Sequence, residues 1–258
     1  MMKKLLALAA AAAITLTAGA VQAGSHALRI GTEGAYPPFN NLTADGKLVG
    51  FDVDIAKALC AEMKMECTFV TQDWDGIIPA LQAGKFDAII ASMSITDERK
   101  KKVDFTHKYY NTPPAMAVPK DSDLTEISAA ALDGKAIGAQ GSTTHSNYAE
   151  ATYTDSDVRL YPTADEYKLD ISNGRLDAVV DDVTVLLEWL ESDDGACCKL
   201  LGTIKPVDAI HGLGAGIAVR KGESELANKF NAAIKTIRAN GVYKQINDKY
   251  FSFDAYGG

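Results

Sequence analysis

The chain has 258 residues, 47% of them hydrophobic, and carries a formal charge of −8 at neutral pH. That charge argues against nucleic acid or an anionic membrane as the main partner. The length suits one large domain or two lobes of ordinary size.

The first element is a leader. Residues 1–23 combine a basic start (Lys3, Lys4), an apolar stretch over 5–16 and small residues ending in Val21-Gln22-Ala23, which is the pattern of a cleavable secretory signal. The apolar stretch is too short and too rich in alanine to anchor the chain across about 30 Å of hydrocarbon. A soluble mature chain is therefore expected to begin near Gly24, and the loss of Lys3 and Lys4 takes its charge from −8 to −10.

A strand over 28–32 then runs into the loop Glu33-Gly34-Ala35-Tyr36-Pro37-Pro38-Phe39. A helix over 51–63 has Cys60 near its end, and Cys67 opens the next strand, over 67–70. The four cysteines form two local pairs, and an even count in an exported chain fits bridges. Cys60 with Cys67 would staple the helix to the strand after it. The adjacent Cys197 and Cys198 leave three options open: a vicinal disulfide, two thiols, or bonds to other partners. Neither pair has zinc-finger spacing and the four histidines do not cluster near them, so no metal is expected, and no cofactor is implied.

Trp74 stands in Gln72-Asp73-Trp74-Asp75-Gly76, just before a helix. The segment Leu81-Gln82-Ala83-Gly84-Lys85-Phe86-Asp87-Ala88-Ile89-Ile90 returns as Ile171-Ser172-Asn173-Gly174-Arg175-Leu176-Asp177-Ala178-Val179-Val180, and Ile30-Gly31-Thr32-Glu33-Gly34 as Ile137-Gly138-Ala139-Gln140-Gly141. The longer copies read as a helix end, a glycine cap and a buried strand. One copy of each per half implies two lobes of like topology. With further strands over 88–91, 136–139, 158–161 and 178–180 and helices between, the pattern is α/β, with mainly parallel sheets covered by helices. Ligands bind such sheets at the carboxyl ends of strands. That directs attention to 33–36, 92–99, 141–144 and Asp181-Asp182. Ser92 and Asp182 each lie five residues beyond an echoed aspartate, and so share one topological position.

These loops carry complementary chemistry. Ser92-Met93-Ser94-Ile95-Thr96-Asp97-Glu98-Arg99 leaves a strand and enters a helix, with Thr96 or Asp97 as its cap. Free N–H groups and hydroxyls there favour an anion, and Arg99 can offer a carboxylate its two-pronged fork. Alone, Arg99 would read as a solvated charge beside Lys100, Lys101 and Lys102. In the other half, Gln140-Gly141-Ser142-Thr143-Thr144 makes a second anion-friendly turn, and Asp182 supplies a counter-charge for an ammonium group. Tyr36 and Trp74 could sandwich an apolar or cationic side chain, with Glu33 beyond them.

Gly31 to Phe39, Gly50-Phe51-Asp52-Val53-Asp54, Asp75-Gly76-Ile77-Ile78-Pro79-Ala80-Leu81, Ser92 to Arg99, Gln140-Gly141-Ser142-Thr143 and the closing Lys249-Tyr250-Phe251-Ser252-Phe253-Asp254-Ala255-Tyr256-Gly257 resemble the polar amino-acid-binding proteins of ABC importers. The nearest resemblance, over essentially the whole mature chain, is to the lysine/arginine/ornithine- and histidine-binding group. It implies a two-lobed periplasmic-binding-protein type II fold with two hinge strands, lobe 1 from residues 24–111 and 209–258 and lobe 2 from 112–208. It puts Arg99 on the ligand α-carboxylate with Ser94 and Thr143, and Asp182 with Ser92 on the α-ammonium. Tyr36 and Trp74 would flank the side chain. Glu33 would meet its distal cation where aspartate is usual. Glutamate there also resembles opine-binding relatives, whereas Asp182 favours a free amino acid. Cys60 and Cys67 match the bridge of the cationic group, while Cys197-Cys198 and Ala91 depart from its pattern.

The function implied is capture, without catalysis, of arginine, lysine, ornithine or histidine in the periplasm by a monomer whose closed form an inner-membrane permease recognises. Two rivals stand beside it. A cyclohexadienyl-dehydratase-like enzyme on this fold would need a proton donor beside a ligand with two carboxylates, where this cleft offers one arginine and two acids. A soluble sensor would instead present its ligand to a receptor.

Overall fold

β1 (Leu28–Thr32) opens the part of the chain described by this computed structural model, residues 27–257; the leader expected over residues 1–23 lies outside it. A small antiparallel ribbon follows, β2 (Ala35–Tyr36), β3 (Asn40–Leu42) and β4 (Leu48–Val49). α1 (Phe51–Glu62) forms because Phe51, Ile55 and Leu59, four residues apart, bury one stripe, and because Asp52 and Asp54 put negative charge where its dipole favours it. Then come β5 (Cys67–Thr71), a single 3-10 turn at Trp74–Gly76, α2 (Ile77–Gln82), β6 (Ala88–Ile89), α3 (Asp97–Lys100) and β7 (Val103–Tyr110).

The second stretch comprises β8 (Pro114–Pro119), β9 (Ala136–Gln140), α4 (Thr144–Thr152), β10 (Asp157–Tyr161), α5 (Ala164–Ser172), β11 (Ala178–Asp182), α6 (Val183–Glu191) and β12 (Cys198–Thr203). α7 (Asp208–His211) leads back to β13 (Ala215–Arg220), α8 (Ser224–Ala239) and α9 (Val242–Tyr250). Among the described residues, no helix is long and apolar enough to cross a membrane.

Two five-stranded sheets result, in the orders β5-β1-β6-β13-β7 and β10-β9-β11-β8-β12. The sequence echo is a structural one. β1 lies between parallel β5 and β6, and β9 between parallel β10 and β11. Asp87 accepts the backbone N–H of Arg29 at 3.0 Å, and its echo Asp177 accepts that of Ala136 at 2.8 Å, so each aspartate pins the start of the neighbouring strand. The residue before each aspartate, Phe86 or Leu176, lies over the glycine of that strand, Gly31 or Gly138.

The sheets are less parallel than the sequence pattern implies. β13 runs antiparallel to both its neighbours, and β8 does likewise in the other sheet. These strands make or follow the crossings: β7 ends the first sheet at Tyr110 and β8 starts the second at Pro114, while β12 and β13 make the return. Strand β6 is also shorter than the expected 88–91, because Ser92 turns the chain with a left-handed φ of 54°.

Cys60 and Cys67 are bonded, tying α1 to β5. Cys197 and Cys198 are bonded to each other, so the vicinal option is the one realised.

Packing at the echoed glycines is tight enough to test. A Cβ on Gly31 would stand 2.5 to 2.7 Å from three ring atoms of Phe86, whereas one on Gly138 would chiefly meet the movable Cδ1 of Leu176. Gly31→Ala is expected to cost about 1–3 kcal/mol, the usual range for an overfilled core, seen as a lower urea midpoint. Adding Phe86→Leu, which copies the second sheet's arrangement, should restore much of it. No recovery would mean that the ring is not what the glycine accommodates.

Candidate functional site

Loops from both sheets meet around one cleft. Glu33 follows β1, Tyr36 lies in β2, Trp74 opens the turn after β5, Ser92 and Ser94 follow β6, and Arg99 is in α3. From the other sheet come Gln140 at the end of β9, Thr143 as the cap of α4, and Asp182 at the end of β11. Glu33, Tyr36, Trp74, Ser92, Ser94, Arg99 and Thr143 border one narrow cavity of about 30 Å³. Asp182 borders a larger chamber of about 270 Å³, which shares Tyr36, Ser92, Ser94, Thr144 and His145 with the first.

The two faces already touch. Trp74 Nε1 and Arg99 Nη2 both donate to the Ser142 carbonyl at 3.1 Å, the Tyr36 hydroxyl donates to Asp181 Oδ1, and Gln140 Nε2 donates to Glu33 Oε1 at 2.6 Å. Arg99 Nη1 donates to the Ser94 carbonyl at 3.2 Å, and its guanidinium lies 5.1 Å from the Trp74 ring centroid, within cation–π range. Thr96 caps the short helix, its hydroxyl accepting the Arg99 N–H, and so aims Arg99 inward. Arg99 therefore belongs to the cleft and not to the solvated lysine run beside it. Burial pulls its pKa down to about 10, which leaves it cationic at neutral pH.

Ser92 is held from behind. Its hydroxyl donates to Asp52 Oδ2 at 3.0 Å and its N–H donates to the Tyr109 hydroxyl at 3.1 Å, which maintains the left-handed backbone. Its oxygen lone pairs remain to accept an N–H. Asp52 is itself buried, and despite bonds from Tyr109, Asn40 and Ser92 its pKa is pushed up to about 6 by desolvation.

Asp182 caps α6: Oδ1 accepts the Thr184 N–H at 2.8 Å and the Thr184 hydroxyl at 2.6 Å, and Oδ2 accepts the Thr112 hydroxyl. A carboxylate has about four lone-pair sites, so one is left. Burial raises its pKa against the pull of these bonds. Thr143 serves mainly as a cap in this state, its hydroxyl donating to the Gln140 carbonyl at 2.7 Å and accepting the Ser146 N–H at 3.0 Å. The pKa of Glu33 rises to about 7, first through desolvation and then through the nearby acids Asp181, Asp165 and Asp73, with the Gln140 bond acting the other way.

Sequence reasoning missed three residues here. Asp181 is 2% exposed and accepts the hydroxyls of Tyr36 and Tyr167, with His145 Nε2 at 3.4 Å. His145 borders both chambers, and Thr112 sits in the crossing segment. Asp181 was marked with Asp182 as a strand end but given no role, His145 was the next residue after the turn Gln140 to Thr144, and Thr112 had no usable signal. His211 borders the larger chamber; burial, with His145 nearby, pushes its pKa down to about 4 and keeps it neutral. Among the described residues, no group of three or more His, Cys, Asp and Glu could hold a metal ion.

Comparison with known proteins gives a consistent likeness. Residues 28–253 match the bacterial extracellular solute-binding proteins, family 3. The chain is 50% identical to the L-arginine-binding protein of Pseudomonas aeruginosa, over 99% of both chains. It is 36% identical to the histidine-binding periplasmic protein of Salmonella typhimurium over the full length of both. Among solved structures, an ancestral arginine-binding protein bound to arginine superposes with a TM-score of 0.81 at 39% identity, covering 88% of this chain and 98% of that one.

Asp181 yields a stability test. Asp181→Ala removes the acceptor of the Tyr167 hydroxyl, which stays buried within its own sheet's core, whereas the Tyr36 hydroxyl can regain water if the faces part. A buried donor left unsatisfied costs about 1–3 kcal/mol, or roughly 2–12 °C in Tm for a chain of this size. Asp181→Asn, which keeps an acceptor, should lose less. Unchanged calorimetric Tm for the alanine variant would show that the contact is not stabilising.

Proposed function

The chain belongs to the bacterial extracellular solute-binding proteins, family 3, and on that premise we propose that it captures a free cationic amino acid in the periplasm for an ABC importer. Arginine is the foremost ligand, ahead of lysine, ornithine and histidine. The observation that carries this is the charge pattern of one cavity: half-buried Arg99 and half-buried Glu33 border it together with the rings of Tyr36 and Trp74. A ligand with a carboxylate, an alkyl stem and a distal cation matches that set. Relatives named for binding arginine and histidine support the same ligand class.

In this reading Arg99 grips the ligand α-carboxylate. Of its five N–H donors two are used on Ser94 and Ser142, and three remain; Ser94 and Thr143 add to the grip. Asp182, through its remaining lone pair, and the Ser92 oxygen receive the α-ammonium. Tyr36 and Trp74 flank the stem, and Glu33 meets the distal cation. On the lobe bounds that the resemblance implies, Arg99 belongs to lobe 1 and Asp182 to lobe 2, so a ligand held by both bridges the lobes and biases them towards closure. A permease in the inner membrane would read the closed form. One chain supplies both faces, so a monomer is the working unit.

Titration calorimetry with arginine, lysine and neutral amino acids tests these assignments. Arg99→Ala should remove binding of every ligand, because breaking a buried charged pair costs about 3–5 kcal/mol, a hundredfold or more. Glu33→Gln should weaken arginine and lysine by about 1.5–3 kcal/mol, the range for charged hydrogen bonds, and leave neutral ligands nearly unchanged. Near-normal affinity in the Arg99 variant, or an equal loss for neutral and cationic ligands in the Glu33 variant, would sink the respective role.

The raised pKa of Glu33 sets a pH dependence. In the free protein the carboxyl titrates at about 7, and a bound cation favours its ionised form, so the free state holds more protons than the complex. Arginine affinity should therefore be flat above pH 7 and fall as pH drops below it, by at most about tenfold per unit. Constant affinity between pH 8 and pH 6 would contradict an ionisable Glu33 at the cation.

A further inference from the structure

We propose that Gln140 is the positioning residue of the cation site: it reaches across from the second sheet to hold Glu33 ionised and oriented for the ligand's distal charge. This rests on the reading of Glu33 given above. Gln140 is 3% exposed, and its Nε2 donates both to Glu33 Oε1 at 2.6 Å and to the Pro162 carbonyl at 3.0 Å. A carbonyl can only accept, so this pair of bonds fixes which way the amide faces. The flipped amide would set its own oxygen against two acceptors. The backbone is equally fixed, with Gln140 registered against Tyr161 and the Gly141 N–H donating to the Tyr161 carbonyl at 2.9 Å.

The need for such a donor follows from the surroundings of Glu33. Asp181, Asp165 and Asp73 all favour its neutral form, as does burial, and the bond from Gln140 is the counter-influence. Deprived of it, Glu33 takes up a proton more readily and is free to turn away. The Gln140 carbonyl also accepts the Thr143 hydroxyl, so one residue links the acid to the turn at the opposite face.

The test uses Gln140→Met, of similar length but without a donor, with arginine and its neutral isostere citrulline as probes. Arginine affinity is expected to fall about tenfold, the lower end of the range for a charged hydrogen bond, and citrulline affinity about threefold or less. The pH below which arginine binding weakens should also move upward, because loss of the bond lets the Glu33 pKa rise. Mere structural damage would lower both ligands alike and leave that pH unmoved. In a Glu33→Gln background, Gln140→Met should add little. If the methionine variant fails to unfold cooperatively, Gln140→Asn, too short to reach Glu33, is expected to behave in the same way. If Glu33→Gln alone leaves arginine binding intact, the Glu33 reading fails and this proposal with it. If Glu33→Gln weakens arginine but neither Gln140 variant changes the arginine-to-citrulline ratio or the pH of weakening, the Gln140 proposal alone is overturned.

Discussion

Carboxylates taken out of water must find hydrogen-bond donors, and the cleft is organised around that requirement. Asp52 receives Asn40, Ser92 and Tyr109; Asp181 receives Tyr36, Tyr167 and its neighbour's N–H; Asp182 receives Thr112 and two donors from Thr184. Glu33 receives Gln140. The protein satisfies three of its four acids largely from within and leaves the fourth poorly served, so the acid with the fewest internal donors is the one able to gain most from a cation. On the role proposed for Glu33, specificity follows from an unequal distribution of donors as much as from the acid itself.

The same requirement explains why the surrounding backbone is irregular. Ser92 and Ser142 both adopt a left-handed φ, near 54° and 58°, without being glycine. The turn at Ser92 directs its hydroxyl to Asp52, and at Ser142 the carbonyl receives Trp74 and Arg99. Strain at such positions persists where the neighbours over-determine it, and here the neighbours are the groups lining the cleft.

How far this was legible in the sequence depended on the range of the interaction. The echo of Asp87 and Asp177, each fixing a neighbouring strand, is written in two short segments and survived intact, as did the Cys60–Cys67 staple. Strands β8 and β13 were not read, because a short apolar run without alternation carries no direction, and β7 and β12, with Asp104, His107, Lys108 or Lys199 among their apolar residues, likewise pair with partners far along the chain. At Asp181-Asp182, adjacent positions point to opposite faces of a strand, so one acid could be assigned to the ligand while the tyrosines that engage the other stayed invisible. Gln140 was visible as part of a turn, but its role depends on Pro162 and on Glu33, 107 positions away.

The two crossings between the sheets lie side by side, with the Ile204 N–H donating to the Pro114 carbonyl at 2.7 Å. Everything from β8 to β12 therefore enters and leaves the first sheet's body at nearly one place, in the manner of a cassette spliced into a host. Glu33, Tyr36, Trp74 and Arg99 belong to the host, whereas Gln140, Thr143, Asp181 and Asp182 belong to the insert. On the proposed roles, genetic exchange of the insert between relatives would thus separate two inherited properties: the host would keep the acid and the rings assigned to the cationic side chain, and the newcomer would bring the amide assigned to that acid and the acid assigned to the amino group.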